Sequence, residues 1–213
     1  MKNIISKVIF VFLLFSSVNT SIAQDKINYT KKESRNNWGL GFVYSENGFG
    51  ISVAKYLPVG NSVDFSLSLL FSGVSDSREV TRYDAYGNSI VPDKVNRVFM
   101  MPLSIGLNIE MFKGDLDGSF KPVFNIGVAP SLIFVNPYNK SFFSALGYTT
   151  TKFAAGPYAG MGINYKQSES MSININLNYY YLPVMNGEIE SLLNNKIDNV
   201  GGVQLTFGMN FLK

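Results

Sequence analysis

The feature that most constrains this chain is a two-residue alternation of bulky apolar side chains with small or polar ones. In residues 170–184, Ile173, Ile175 and Leu177 alternate with asparagines. Because successive side chains of an extended strand point to opposite faces, this stretch predicts a strand with one apolar face and one amide face. The same pattern recurs along the chain and predicts eight antiparallel strands. These predicted strands begin near Trp38, Phe49, Val63, Phe99, Phe124, Phe153, Ser170 and Val203.

The connections between the predicted strands alternate between two kinds. One set is mostly long and covers residues 45–48, 75–95, 136–150 and 186–197. The other set consists of short turns at residues 58–61, 113–119 and 166–170. Long outer loops and short periplasmic turns are typical of outer-membrane β-barrels, whose strands need about 9–11 residues to cross a tilted path through the bilayer.

The volumes of the two faces predict which one points outward. The apolar face carries more bulk than the interior of an eight-stranded barrel can hold, whereas Gly, Ala, Ser and Asn suit a narrow lumen. Charged residues make up only 15% of the chain, against about 25% in soluble domains. The sequence therefore predicts an all-β, eight-stranded antiparallel up-and-down transmembrane β-barrel over residues 38–213. A soluble, lipocalin-like periplasmic barrel that binds lipid is the alternative.

The N-terminal residues have the pattern of an export signal. Lys2 and Lys7 precede an apolar run at residues 8–15, and Ser21 and Ala23 occupy the positions that a signal peptidase prefers. We interpret residues 1–23 as a signal peptide and residues 24–37 as a polar periplasmic lead. The predicted location is the outer membrane of a Gram-negative bacterium.

The composition argues against several chemistries. The chain has no histidine and no cysteine, so the general acid–base groups of the known barrel hydrolases and thiolate metal sites are missing. We expect no enzymatic activity, no cofactor and no metal site. Without Lys2 and Lys7 the charges nearly balance, so we expect no binding to nucleic acid.

Two sets of residues are candidate functional sites. The first is an inward-facing charge cluster near the periplasmic rim, formed by Asp64, Glu110, Lys121 and Lys166. Because buried charges must be paired, these residues could close the lumen through salt bridges. The alternative is that each is separately hydrated at the barrel mouth.

The second candidate site is a contact surface on the outer loops. Charged and β-prone residues at 75–95 could present a protruding hairpin, and apolar residues at 136–150 suggest contact with protein or with lipid head groups. Residues 187–196 are expected to form a short helix. The predicted contact residues are Arg78, Arg82, Tyr86, Phe142, Phe143 and Leu146.

Several strand motifs carry a family resemblance. In order they read GFGISVAKYLPVGN, FMMPLSIGLNIE, KPVFNIGVAPSLIF, AAGPYAGMGINYK and LTFGMNF. This arrangement resembles the small outer-membrane β-barrel family of Bacteroidetes, which is related to OmpA/OmpX-type barrels and includes PorT-type members of a secretion apparatus.

The predicted role is non-enzymatic: structural, adhesive, or accessory to an envelope complex through the outer loops. The expected partners are outer-membrane lipid, lipopolysaccharide and envelope or secretion-complex proteins. A narrow, porin-like channel is the alternative within the membrane.

Overall fold

The computed structural model describes residues 37–76, 78–87, 89–112 and 119–212. The predicted signal peptide and residues 24–36 of the predicted lead lie outside the described residues. The strands are Asn37–Ser45 (β1), Gly48–Pro58 (β2), Val63–Val74 (β3), Arg82–Tyr83 (β4), Ser89–Ile90 (β5), Asn96–Glu110 (β6), Phe120–Val128 (β7), Ser131–Pro137 (β8), Thr150–Ala154 (β9), Pro157–Lys166 (β10), Met171–Tyr180 (β11), Ile189–Leu192 (β12), Asn195–Ile197 (β13) and Gly202–Leu212 (β14).

The main sheet closes on itself through antiparallel pairing. Its order is β3-β2-β1-β14-β11-β10-β7-β6-β8-β9, and β3 also pairs with β6. Strands β7 and β8 both pair with β6 and together form one wall strand. Strands β9 and β10 together form the next wall strand, because β10 pairs with β7 and β9 pairs with β8. This gives the predicted eight-stranded barrel, whose closure satisfies backbone groups that hydrocarbon would leave unpaired. On its other side β9 is joined by the Ala154–Val184 bridge and by the Met185 N–H, which donates to the Phe153 carbonyl at 2.8 Å.

Two neighbouring wall strands are interrupted at the same height. The breaks fall at Ala129–Pro130 and at Ala155–Gly156. Proline has no N–H to give to a ladder, so the regular pairing stops at Pro130. The Ala129 N–H donates to the Gly156 carbonyl at 2.8 Å, and the Leu103 N–H donates to the Pro130 carbonyl at 2.8 Å. These bonds keep the wall continuous across the interruption.

The two faces of the strands lie as predicted, with bulky apolar side chains outside the barrel and small or polar ones inside. On β11, Ile173, Ile175 and Leu177 are exposed on the outer wall, while Asn174 and Asn176 are buried inside. The register of β11 against its neighbours β10 and β14 is unbroken, so the alternation has the same phase across these strands. The outer surface is therefore an apolar belt of the kind that faces lipid.

The outer connections contain the remaining elements. Phe142–Ala145 forms one helical turn (α1), followed by a 3₁₀ turn at Leu146–Tyr148. No helix in the described part of the chain is long and apolar enough to cross a bilayer. Between β1 and β2 the chain turns at Gly48, whose φ of +147° favours glycine, and a Cβ there would lie 2.9 Å from the Gly73 carbonyl oxygen.

The helix predicted over residues 187–196 is wrong, because this segment forms the hairpin of β12 and β13. Burial along β12 alternates, with Ile189 and Ser191 buried, so tertiary contacts select a period of two. Asn194 has a φ of +59° at the hairpin turn, a conformation that asparagine tolerates. The bridge between Leu192 and Lys94 of loop 75–95 further favours the extended form.

Candidate functional site

The lumen contains a small polar cavity at mid-height. Its volume is about 70 Å³, which is room for a few water molecules. Serines, asparagines and tyrosines from the inward faces dominate its lining. These polar side chains are Ser52, Tyr56, Ser66, Ser68, Ser104, Asn125, Tyr158, Asn174, Asn176, Asn178, Tyr180, Gln204, Thr206 and Asn210.

Five lumen asparagines form a one-directional chain of amide hydrogen bonds. The Asn108 amide donates to Asn125 at 2.7 Å, and Asn125 donates to Asn176 at 3.2 Å. Asn176 then donates to Asn174 at 3.1 Å, and Asn174 donates to Asn210 at 2.9 Å. Because every donor points the same way, each bond polarises the next. The chain ties β6, β7, β11 and β14 together across the interior, and we call it the asparagine chain.

The asparagine chain passes over β10 because β10 carries glycines at that height. A Cβ on Gly162 would lie 2.1 Å from the Asn176 Oδ1, and a Cβ on Gly160 would lie 2.3 Å from the Asn178 Oδ1. No side chain fits at either position without displacing an amide. Asn125 also donates to Asn178, at 3.3 Å, across this gap. Gly160 and Gly162 therefore leave the room that the lumen amides occupy.

Two stacked tyrosines lie next to the asparagine chain. The rings of Tyr158 and Tyr180 are nearly parallel, with centroids 4.9 Å apart. The hydroxyls of Tyr180 and Ser104 are 3.2 Å apart and share a hydrogen bond. Gly106 and Gly127 face each other on adjacent strands and leave space for the Tyr158 ring. A Cβ on Gly106 would lie 2.5 Å from the Tyr158 hydroxyl oxygen.

The outer end of the lumen is sealed by apolar side chains. Ile133, Leu182 and Val200 are fully buried there, and Ile189 of β12 packs in the same cluster. The sequence predicts an inner face of Gly, Ala, Ser and Asn, and the structure adds apolar side chains at this end of it. The strand alternation places Met100 and Ile133 on the inner face. Leu182, Ile189 and Val200 lie in irregular or loop segments, whose position depends on tertiary folding.

Of the four predicted lumen charges, two form an ion pair with each other and a third pairs with a residue outside the set. The Lys121 ammonium lies 4.0 Å from a Glu110 carboxylate oxygen, and the two side chains are 26% and 14% exposed. Lys166 instead pairs at 3.5 Å with Glu169, an exposed residue of the following turn. Asp64 lies opposite Asn108 in the ladder of β3 and β6. Closure of the periplasmic mouth by all four residues stays a prediction.

A second buried polar network braces the outer loops. The Lys94 ammonium lies 2.6 Å from the Glu79 carboxylate, with side-chain exposures of 12% and 9%. The Ser191 hydroxyl donates to the other Glu79 oxygen at 2.7 Å, and Ser191 is fully buried. The ion pair closes loop 75–95 on itself, and the Ser191 hydroxyl links that loop to loop 186–197, so both carboxylate oxygens of Glu79 have partners.

Further hydrogen bonds join the same two loops. The Asn195 amide donates to the buried Asp76 carboxylate. The Asn96 amide donates to the Glu190 carbonyl at 2.7 Å, and the Val95 N–H donates to the carbonyl of β12 at Ser191 at 2.8 Å. Together with the Glu79 and Lys94 pair, these contacts define the outer brace. The sequence does not predict this brace, because its residues lie far apart along the chain and no short motif links them.

The predicted loop contact residues lie on two different loops. Arg78 is exposed and its Nε lies 3.4 Å from Asp76, whereas Arg82 lies on β4 at the loop surface. Tyr86 is 91% exposed at the turn between β4 and β5. The exposed residues Phe142, Phe143 and Leu146 belong instead to α1 and the turn after it.

Exposed charges on the loops behave differently from the braced ones. The Lys196 ammonium lies 2.5 Å from the Glu188 carboxylate, but both side chains are more than half exposed. The hydrogen bond to Glu188 raises the pKa of Lys196 above its ordinary value. In the part of the chain that the structure describes, no three acidic, histidine or cysteine side chains come together as a metal site.

Comparison with known proteins supports the fold. No protein-family model matches the chain, and no curated protein matches its sequence. Among solved structures, Neisserial surface protein A is 10% identical, with a TM-score of 0.54 over 83% of this chain and 94% of that one. The outer membrane protein OprG from Pseudomonas aeruginosa is also 10% identical, with a TM-score of 0.52 over 84% and 96%.

A third structure has the same architecture. A major outer membrane protein from Thermus thermophilus is 14% identical, with a TM-score of 0.50 over 83% of this chain and 98% of that one. At these identities the likeness establishes the fold alone. The closed barrel with an apolar outer belt is the architecture of outer-membrane proteins, so the chain is an outer-membrane β-barrel.

Proposed function

We propose that this barrel is a non-enzymatic outer-membrane protein that presents a braced outer-loop surface to another component of the cell envelope. The observation that carries the proposal is the buried Glu79 carboxylate, which pairs with Lys94 of its own loop and accepts a hydrogen bond from Ser191 of the other long loop. Loops are commonly the mobile part of a barrel, and a charge pair taken out of water is costly unless it is fully satisfied. A loop pair held in one shape loses little entropy on binding, which favours a recognition role.

The residues displayed above the brace suit a protein contact. Arg78, Arg82, Tyr83 and Tyr86 are all exposed on loop 75–95. Arginine and tyrosine are enriched at the energetic centres of protein interfaces, because they combine contact area with hydrogen bonding. We infer an envelope or secretion-complex protein as the partner, in a structural, adhesive or accessory role. The Bacteroidetes-type strand motifs favour the same inference.

Two other functions have less support. Catalysis of the kind found in barrel hydrolases needs a histidine, and the sequence has none. A narrow channel needs a continuous wet path, whereas the cavity of about 70 Å³ lies below the fully buried side chains of Ile133, Leu182 and Val200. A soluble lipid-binding barrel would carry its apolar face inside, opposite to the arrangement found here.

Site-specific photo-crosslinking in intact cells tests the proposal. A benzophenone amino acid replaces Tyr86 on the loop surface and, as a matched control, Tyr165 on the lipid-facing wall. We expect a discrete protein adduct from position 86 that is lost with Arg82→Ala, and only lipid adducts from position 165. A heat-modifiable gel shift confirms that each variant is folded.

The proposal would be contradicted by lipid adducts alone from both positions. If the purified protein also gave step-like conductance in planar bilayers, the narrow-channel function would be favoured instead.

A further inference from the structure

An aromatic ridge connects the lipid-facing wall to the loop between β8 and β9. Phe71 of β3 and Phe99 of β6 stack with centroids 5.8 Å apart and planes 8° from parallel. Phe142 of α1 meets Phe99 edge-on at 6.0 Å, and Phe143 meets Phe142 edge-on at 5.5 Å. Phe71 and Phe99 point outward from the barrel, because their chain neighbours Ser72, Val98 and Met100 are buried inside. Helix α1 therefore lies against the outside of the wall.

The loop is held in this position by its own contacts. Ala145 is fully buried and its N–H donates to the Ser141 carbonyl at 2.9 Å. The Thr149 hydroxyl donates to the Asn136 side chain at 2.7 Å, which fixes the end of the 3₁₀ turn to β8. The ridge is thus a built part of the surface and continues the apolar belt.

The ridge ends in a group of apolar side chains beside a cation. Phe143 is 83% exposed, and Leu146 and Tyr148 are also exposed. The Lys140 ammonium lies 4.3 Å from the centre of the Tyr148 ring. Within the described residues, no carboxylate lies within ion-pair distance of Lys140, so its charge is available to an external anion. Aromatic residues with a neighbouring lysine are typical of the boundary between acyl chains and head groups.

We propose that α1 and the turn after it form a binding surface for an anionic lipid of the outer leaflet. Acyl chains cover Phe142, Phe143 and Leu146, and the lipid phosphate pairs with Lys140. Two observations select lipid over a protein partner: the unbroken continuity of the ridge with the lipid-facing wall, and the position of the Lys140 cation at its outer edge. The surface is distinct from the Arg82 and Tyr86 surface of the proposed partner contact.

Tryptophan fluorescence tests the location of the surface. The chain has a single tryptophan, so Trp38→Phe gives a blank background. Phe143→Trp and, as the control, Tyr86→Trp are introduced separately and reconstituted in phosphatidylglycerol vesicles with brominated acyl chains. We expect bromine to reduce the emission of the Phe143→Trp protein roughly by half, since an interfacial helix sits about 5–10 Å into the boundary. Aqueous acrylamide should quench the Tyr86→Trp protein instead.

The inference is overturned if acrylamide quenches both proteins equally and bromine affects neither, because α1 would then project into water. If the Phe143→Trp protein shows no heat-modifiable folded band, Leu146→Trp is used in its place, with the same expected result. The proposed partner contact is unaffected by either outcome, since it depends on crosslinking from a different loop.

The head-group contact is tested by changing the lipid charge. In the same single-tryptophan background, bromine quenching should be stronger in phosphatidylglycerol than in phosphatidylcholine. Lys140→Gln should abolish this difference, whereas Lys196→Gln, which removes an exposed lysine paired with Glu188, should leave it intact. Equal quenching in the two lipids before any lysine is changed would overturn the role assigned to Lys140.

Discussion

Asn125 is the residue at which the asparagine chain can be broken most completely. Its amide accepts a hydrogen bond from Asn108 at 2.7 Å and donates to Asn176 and Asn178 at 3.2 and 3.3 Å. Replacement by alanine removes all three bonds at once and leaves the wall strands otherwise unchanged. The substitution therefore measures what the lumen amides contribute to the barrel.

The expected cost follows from the burial of the partners. Asn108 and Asn176 are 5% and 7% exposed, so each keeps a polar atom without its partner in a site that water enters poorly. Each such group costs about 1–2 kcal/mol, and the half-buried Asn178 is rehydrated from the lumen cavity, which gives a total of about 2–4 kcal/mol. Water that enters the space left by Asn125→Ala moves the value to the lower end of this range.

Urea unfolding in lipid vesicles measures this cost as a shift of the transition midpoint. Asn164→Ala is the matched control, because Asn164 also faces the lumen and makes no side-chain hydrogen bond to any other described residue. We expect a change below about 0.5 kcal/mol for the control. Equal midpoints for the two variants would refute the conclusion that the asparagine chain stabilises the barrel.

Three further predictions concern the lumen and the outer brace. Gly162→Ala places a Cβ 2.1 Å from an amide oxygen of the asparagine chain and should lower the free energy of unfolding in urea by about 1–3 kcal/mol. Gly73→Ala is the control, because a Cβ there meets nothing within 4 Å. Equal costs for the two variants would contradict the packing role of Gly162. Lys94→Met should make loop 75–95 more sensitive to trypsin, because it leaves the buried Glu79 carboxylate without its cation. Lys196→Met, which removes an exposed lysine, should not have this effect. Equal cleavage of loop 75–95 in the two variants would show that the buried pair does not stabilise the loop. Leu182→Ala should cost about 2–5 kcal/mol and produce conductance in planar bilayers, and a silent variant of unchanged stability would disprove the apolar seal.

The barrel could be predicted because its pattern is local and repeated. Ile173, Ile175 and Leu177 alternate with asparagines, and the same period on every wall strand settles which face carries the bulk. Glu110 and Lys121 could be paired from the sequence for the same reason: both have inward parity on strands joined by a short turn. Parity and strand order together determine these neighbours.

The outer brace and the apolar seal could not be predicted in this way. Glu79 and Lys94 are 15 residues apart within one loop, and Ser191 is 112 residues from Glu79. No periodicity links such positions, because irregular segments have no fixed relation between sequence spacing and distance. The segment containing Ile189 is so short that its charged and apolar residues fit a helical period as well as a strand period, which is why the sequence predicts a helix there.

In this barrel the apolar face of the wall points to lipid and the amide face points to the lumen. The chain has no cysteine, so nitroxide labels can be attached to single cysteines introduced one at a time from Ser172 to Tyr179 on β11. In reconstituted protein, collision with oxygen, which concentrates in lipid, should be highest at positions 173, 175, 177 and 179 and lowest at the positions between. Collision rates of the opposite phase, or with no period of two, would contradict the account.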